Sequence, residues 1–385
     1  MRKITLLAAV FLAVLGTLTL SAQPQAEAGS GAAMGASPAL TMAPANFDDL
    51  VKAAQKEGQL TVIALPRDWA NYGEIIDTFA QKYGIKVNEL NPQGGSGDEL
   101  QAIDANKANK GPQAPDVIDV GFAFGPDAKT KGLIAPYKVR TWSTIPDSVK
   151  DADGYWYGDY YGALSFEVNL DVVKTPPQDW ADLLGAYKGQ VALSGDPRVS
   201  NQAIQSVAAA AIANGGSYDN AKPGVDFFAK MNAAGNFVPL IATAGTIASG
   251  ETPIAIQWDY LAMADRDKAN GNPNIGVLVP TSAVVAGVYV QAISAYAPHP
   301  NAARLWEEYL YSDEGQLLWL KGYAHPIRYN DLASRNVVPD DLAAKLPPAA
   351  TYANAFFPTL AQQTAAKTFI TANWDSIVGV DVKKQ

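Results

Sequence analysis

The sequence predicts an α/β protein of two units, each a largely parallel sheet flanked by helices. Three observations carry this. Short apolar strands alternate with helical runs of about 10–15 residues. The alternation runs through one cycle to Gly132, meets an aromatic stretch, and begins a second cycle of similar design. The chain has 385 residues, enough for about two domains, and its 48% hydrophobic against 17% charged residues can bury a sizeable core.

The folded part is expected to begin near Phe47, where Asp48 and Asp49 open an amphipathic helix running through Lys56 and stopped by Gly58. LTVIAL (60–65) reads as a buried strand, and the loop PRDWANY leads to the helix EIIDTFAQKY, which Gly84 ends. IKVNEL (85–90) is the second strand. The loop NPQGGSG then opens a helix from about Asp98 to Lys110, and DVIDVG (116–121) is the third strand. GYWYGDYYG (154–162) reads as an aromatic turn cluster before the strand ALSFEVN (163–169). After Pro176-Pro177, DWADLLGAY makes a helix and QVALSG (190–195) a strand, with DPRVS turning into the helix NQAIQSVAAAAIANGG. VPLIA (238–242), TPIAIQW (252–258) and IGVLVPT (275–281) are further strands. YVQAISA (289–295) leads through Pro298 and Pro300 into the helix NAARLWEEYLY. No internal sequence repeat is visible.

The N-terminus sets the compartment. Met1-Arg2-Lys3 is a short basic region, Ile4 to Leu20 is almost unbroken apolar chain, and Ser21-Ala22 supplies small residues for cleavage, with Ala26-Glu27-Ala28 as a second possible site. Residues 1–22 are therefore expected to be a signal peptide rather than a membrane anchor, since the apolar run is short and lacks basic flanks on its C-terminal side. Residues 23–45, small, polar and proline-punctuated, read as a flexible leader. The net charge is −9, and loss of Arg2 and Lys3 makes it −11. Broad attraction to nucleic acid or anionic membrane is not expected at that charge. With no cysteine there is no disulfide and no thiol for a lipid, so a free exported protein is expected.

Enzymatic motifs are weak. Residues 94–99 read GGSGDE, without the lysine of a phosphate-binding loop or the third glycine of a dinucleotide fingerprint. His299 and His325 each precede a proline and have no partner at metal-ligand or relay spacing. Among the 38 acidic residues no spacing singles out a hydrolytic pair. The chain is read as a binding protein without cofactor or metal.

Loops suited to non-covalent binding stand out instead. Gly95, Ser96 and Gly97 fall at a helix N-terminus, and Ser200 repeats this in the second unit with Arg198 close by. Free amides and the dipole there favour an anion by roughly 0.3–1 kcal/mol, although both serines also suit plain capping. Trp258-Asp259, at the end of a strand, suits a protonated amine as ring face plus carboxylate, or else a packed tryptophan with a capping aspartate. Asp68-Trp69 with Asn71 offers a similar group. Tyr161, where the chain leaves the first unit, is read as either a contact or a packing residue.

The stretch YYGALSFEVNLDVVKTPPQDWADLLGAYKGQVALSGDP, together with ASGETPIAIQWDY, PHPNAARLWEEYLYSDEGQ and the final GYAHPIR, resembles periplasmic substrate-binding proteins of ABC importers. The resemblance runs from about residue 46 to 335. It implies the type II two-lobe periplasmic binding protein fold, with hinge strands between the lobes and the ligand in the cleft. Lobe 1 would be 46–162 plus 283–322 and lobe 2 would be 163–282 plus 323–385. Crossings are expected near 161–167, 278–283 and 322–328.

The branch resembled contains ferric-ion, polyamine, thiamine and aminophosphonate binders. In ferric members a tyrosine pair follows the strand matching TPIAIQ, but Trp258-Asp259-Tyr260 stands here, which speaks for an organic ammonium. The resemblance thus implies a periplasmic monomer that hands a small amine-bearing solute to a permease in the inner membrane, the alternatives being a ferric-ion binder of the same fold or an exported hydrolase. Trp258 and Asp259, with Trp69 or Tyr161, would hold the cation, and Asn71 and Tyr289 would orient it. The helix starts at Ser96-Gly97 and Ser200 would hold any anionic end.

Overall fold

The computed structural model describes residues 46–346, 351 and 355–383; the expected signal peptide and leader lie outside the described residues. The first helix, α1 (Phe47–Glu57), is capped by the Asn46 side chain, which accepts from the Asp49 amide at 2.9 Å, and is ended by Gly58 at φ +68°. Strand β1 (Gln59–Ile63) then pairs in parallel with β2 (Lys86–Leu90), and the connecting helix is α2 (Tyr72–Tyr83). Helix α3 (Ser96–Ala105) leads to β3 (Val117–Gly121). The start of β3 lies beside β1: the Thr61 amide donates to the Asp116 carboxylate at 2.7 Å, and the Asp116 amide donates back to the Thr61 carbonyl at 2.8 Å. Helix α4 (Phe124–Thr130) and the short β4 (Ile134–Ala135) complete this cycle.

Strand β5 (Tyr157–Asn169) belongs to both halves. Through Ala163 it runs antiparallel to β9 (Ala286–Ser294); from Leu164 it pairs with β7 (Ile254–Trp258) and β8 (Ile275–Leu278). In the second cycle β6 (Val191–Leu193) is parallel to β7, flanked by α5 (Asn201–Ala213), α6 (Lys222–Ala233), the short α7 (Ala244–Ser249) and α8 (Asp259–Ala269). After β9, α9 (Pro300–Leu310) packs on α1 and α10 (Asp313–Lys321) follows. The two-residue β10 (His325–Pro326) joins β5, and α11 (Tyr329–Ser334) and α12 (Asp340–Ala343) come next. Finally α13 (Leu360–Ile377) lies on α5 and α6. Parallel pairing thus holds for β1–β2 and β6–β7, while β5 and β9 run antiparallel to their neighbours.

Three local expectations change. GYWYGDYYG is largely strand, because Tyr157 and Tyr160 bury their rings and its glycines serve close approach: a Cβ on Gly162 would lie 2.4 Å from the Tyr260 ring. DWADLLGAY forms only a 3-10 turn, Trp180–Leu184, whose indole is fully buried. VPLIA makes isolated bridges rather than a strand. Trp180, Trp258, Trp306, Trp319 and Trp374 are all fully buried, and around such residues the apolar faces of both cycles close. Among the described residues no helix is long and apolar enough to cross a membrane.

Candidate functional site

The loops after β1, β2, β6 and β7 converge on a cavity of about 170 Å³. At roughly 10–15 Å³ per water on the same measure, it holds about a dozen waters, or a solute of comparable size. From the first half it is walled by Asp68, Trp69, the Gly94–Ser96 turn, Glu99 and Asp119. From the second come Ser194, Asp196, Ser200 to Gln202, Thr243 and, after β7, Leu261 and Asp265. Tyr289 of β9 and Gln257 of β7 also line it. Among the described residues, no Lys, Arg or His does.

An aromatic and hydrogen-bonded floor holds the first half of this wall. The Trp69 indole N–H donates to the Tyr160 hydroxyl at 2.6 Å, and its ring meets Tyr289 edge-on at 5.5 Å. Tyr160 stacks on Tyr289 at 5.5 Å. Tyr160 and Tyr72 both donate to Asp119 Oδ2, at 2.9 and 2.8 Å, and the Asp119 amide donates to Glu99 at 3.0 Å. Burial pushes the Asp119 carboxyl up to about 7 against the pull of the two phenols. Glu99 is driven well above the usual carboxylate range by burial and then by Asp119.

The two helix starts are used differently. At α3 the Gly95 amide donates to the Asp98 carboxylate at 2.9 Å, and the Ser96 hydroxyl accepts from the Gly121 amide at 3.0 Å. The Gly97 amide reaches across the cleft to the Val199 carbonyl at 3.0 Å. A Cβ on Gly95 would lie 3.2 Å from that carbonyl oxygen, so the glycines let two loops touch. Gly95 and Ser96 line the cavity, but Gly97 is an interloop contact. At α5, by contrast, the amides of Asn201 and Gln202 have no acceptor among the described residues, and the Ser200 hydroxyl is likewise unbonded. That end faces the cavity.

The structure brings together six of the predicted residues on the cavity wall: Asp68, Trp69, Gly95, Ser96, Ser200 and Tyr289. The others it places elsewhere. Trp258 is wholly buried with its ring over Gly287; its indole N–H donates to the Tyr289 hydroxyl at 3.2 Å and its amide to Gln202 Oε1 at 2.8 Å. It supports cavity residues from behind rather than facing a cation. Asp259 accepts from the Ala163 amide at 3.0 Å and from the Tyr260 amide at 2.9 Å, tying α8 to β5. Arg198 is turned away, bidentate on Asp196 with Asp375 and Asp381 beyond, and these carboxylates raise its pKa further. Asn71, at φ +66°, donates to the Leu318 carbonyl at 3.0 Å. Tyr161 stacks on His325 at 4.6 Å, in a separate hydrophobic hollow.

Sequence reasoning missed Asn201, Gln257 and Asp265. For Asp265 a signal was present: DYLAMADRDKA has good helix formers, and a helix starting at Asp259 puts Leu261 and Asp265, four apart, on one face.

Residues 113–353 match the family model for bacterial extracellular solute-binding proteins. A putative 2-aminoethylphosphonate-binding periplasmic protein of Salmonella typhimurium is 27% identical over 249 residues, covering 62% of this chain and 68% of the relative. Solved structures share the fold. The iron-bound protein HitA from Pseudomonas aeruginosa has a TM-score of 0.63 at 20% identity, covering 84% of this chain and 99% of its own. The periplasmic binding protein AfuA from Actinobacillus pleuropneumoniae, solved with fructose-6-phosphate, gives 0.64 at 20%, with the same coverage. These relatives are binding proteins with the type II two-lobe fold, and the chain belongs to the bacterial extracellular solute-binding proteins, the periplasmic ligand-binding components that work with ABC permeases.

Proposed function

We propose that this protein captures a small polar solute bearing an amine, of the polyamine, ω-amino acid or aminophosphonate type, and delivers it to its permease. The observation that carries the reading is the wall of the cleft cavity, where carboxylates and the Trp69 ring are present and, among the described residues, no basic side chain is. Such a wall favours a cation, and an aromatic face adds roughly 0.5–2 kcal/mol for an ammonium. The free amides at the start of α5 favour an anionic end without a second protein cation. The name of the Salmonella relative, a putative binder of 2-aminoethylphosphonate, fits a solute with both ends and of this size.

We assign the lobes to 46–162 with 283–322 and to 163–282 with 323–385. The change of β5 partner between Ala163 and Leu164 supports a hinge there. Micromolar affinity corresponds to about −8 kcal/mol, within reach of a few charge-assisted bonds and one aromatic contact.

A thermal-shift series with 2-aminoethylphosphonate, putrescine, spermidine, ω-amino acids and ferric citrate tests the reading. A solute at 100 times its Kd adds about 2.7 kcal/mol of stability. An amine-bearing compound is expected to raise Tm. A shift with ferric citrate alone, or with none of the amines, overturns the reading.

A further inference from the structure

Four of the six acidic residues on the cavity wall already have work to do. Asp98 caps the Gly95 amide, Asp196 is paired with Arg198, and Glu99 and Asp119 are buried in the hydrogen-bonded floor. Asp68 and Asp265 differ: among the described residues no salt bridge reaches either of them, and Asp265 is met only by the neutral Gln257 side chain. They come from opposite sides of the cleft: Asp68 from the loop after β1, Asp265 from α8, which follows β7. Both line the same cavity. Burial first, and then the Asp68 charge, pushes the Asp265 carboxyl up to about 6, with Lys268 on the same helix only partly opposing. Behind Asp265, Gln257 donates to Glu167, which burial and Asp265 push up to about 9. Glu167 is thus neutral at pH 7 and adds no third charge.

A second, independent observation points to a ligand in the same cavity. Asn201, 3% exposed, has an amide nitrogen with no acceptor, and Asp119, 5% exposed, has one carboxylate oxygen without a hydrogen bond; both line the wall. The Ser194 hydroxyl on that wall is unpartnered too. Buried polar atoms left open in this way lose the free energy of the bond they lack, and a bound solute restores it.

We propose that Asp68 and Asp265 form a divided ammonium subsite, one carboxylate from each lobe, in which a protonated amine bridges the cleft. Without a cation the two carboxylates repel and oppose closure. With an ammonium between them, repulsion becomes attraction through a shared partner, so amine recognition and lobe closure are one event. Asp265 is then a specificity-determining residue: solutes lacking a cationic end meet an unpaired carboxylate on each side. The proposal rests on reading the cavity as a site for an amine-bearing solute.

The test uses the full-length protein with Asp265→Asn and the exposed Asp68→Asn, titrated by calorimetry with 2-aminoethylphosphonate and with putrescine. Each loss is expected to weaken whichever amine binds the wild type by roughly 10- to 100-fold, the scale of a charge-assisted hydrogen bond. At the same time the ligand-free D265N protein should be as heat-stable as wild type or more so, and its radius of gyration by small-angle scattering should fall toward the closed form. A merely structural aspartate would give lower stability and no compaction. If wild type binds an amine and both variants bind it equally well, with unchanged compaction, the subsite is refuted while the amine reading stands. If wild type binds neither amine, the reading beneath it fails first, and the subsite with it. Should D265N not fold, D68N decides by affinity and compaction alone.

Discussion

Gly97 offers a way to separate closure from folding. It lies in the first turn of α3, and across the cleft its amide donates to the Val199 carbonyl at 3.0 Å. Its backbone is outside the left-handed region, so alanine is not strained there, and a glycine-to-alanine change inside a helix gains up to about 1 kcal/mol. A Cβ at this position, however, would sit 3.1 Å from Val199 Cβ and 3.3 Å from its Cα and Cγ1. Overpacking of this kind costs about 1–3 kcal/mol. On the reading that lobe closure brings these two loops together, the penalty falls on the closed form alone. Gly97→Ala should therefore leave the Tm of the ligand-free protein unchanged or slightly raised. Affinity for whichever solute stabilises wild type in the thermal series should fall about 5- to 150-fold, by the conversion of 1.4 kcal/mol per decade. Calorimetry with scanning fluorimetry reads both quantities. Wild-type affinity in G97A would refute the assignment of this contact to the bound state, and an equal loss of stability without ligand would show that the loops touch whether or not the cleft is filled.

Three further outcomes follow from the packing. Trp258→Ala should cost about 3–5 kcal/mol of unfolding free energy, because the whole indole is buried, while Trp258→Phe should keep most of the solute affinity; an affinity collapse in the phenylalanine variant with normal stability would restore a direct cation contact. Trp69→Ala should weaken amine binding by about 2- to 30-fold, the range of a cation–π contact, with a smaller change in Tm, and unchanged calorimetric affinity would remove Trp69 from the site. His299 holds a raised pKa through its bond to Asp116 at 2.8 Å; its folded pKa lies above the unfolded value of about 6.5, so its stabilisation is full below that pH and fades as pH rises through the folded pKa. Denaturant unfolding from pH 6 to 9 should show this decline, and His299→Gln should flatten it.

What could be read from the sequence divides along a physical line. The strands LTVIAL and TPIAIQW, the Gly58 and Gly84 helix stops and the start of α5 at Ser200 are local matters of periodicity, capping and turn chemistry, and the structure has them within two residues or so. Trp258 and Arg198 are different. A tryptophan beside an aspartate at a strand end has the chemistry of an ammonium grip, yet whether its ring faces water or core depends on Gly287, 29 residues on, whose missing side chain makes room for the indole. Arg198 looks available for an anion, but Asp196 two residues before it takes its guanidinium, and Asp375 of α13 and Asp381 beyond that helix close on it. Asp265 escaped notice although the helix face it shares with Leu261 was legible, because its meaning comes from Asp68, nearly two hundred residues away on the opposite wall. The GGSG turn joins both cases. Its glycines and helix start announce free amides; Asp98 takes up one of them locally, and Val199 takes up another across the cleft, which is a tertiary fact. Trp258, Asp259 and Arg198 each have at least one partner far along the chain, so long-range pairing as well as residue chemistry decides which polar groups remain free for a solute.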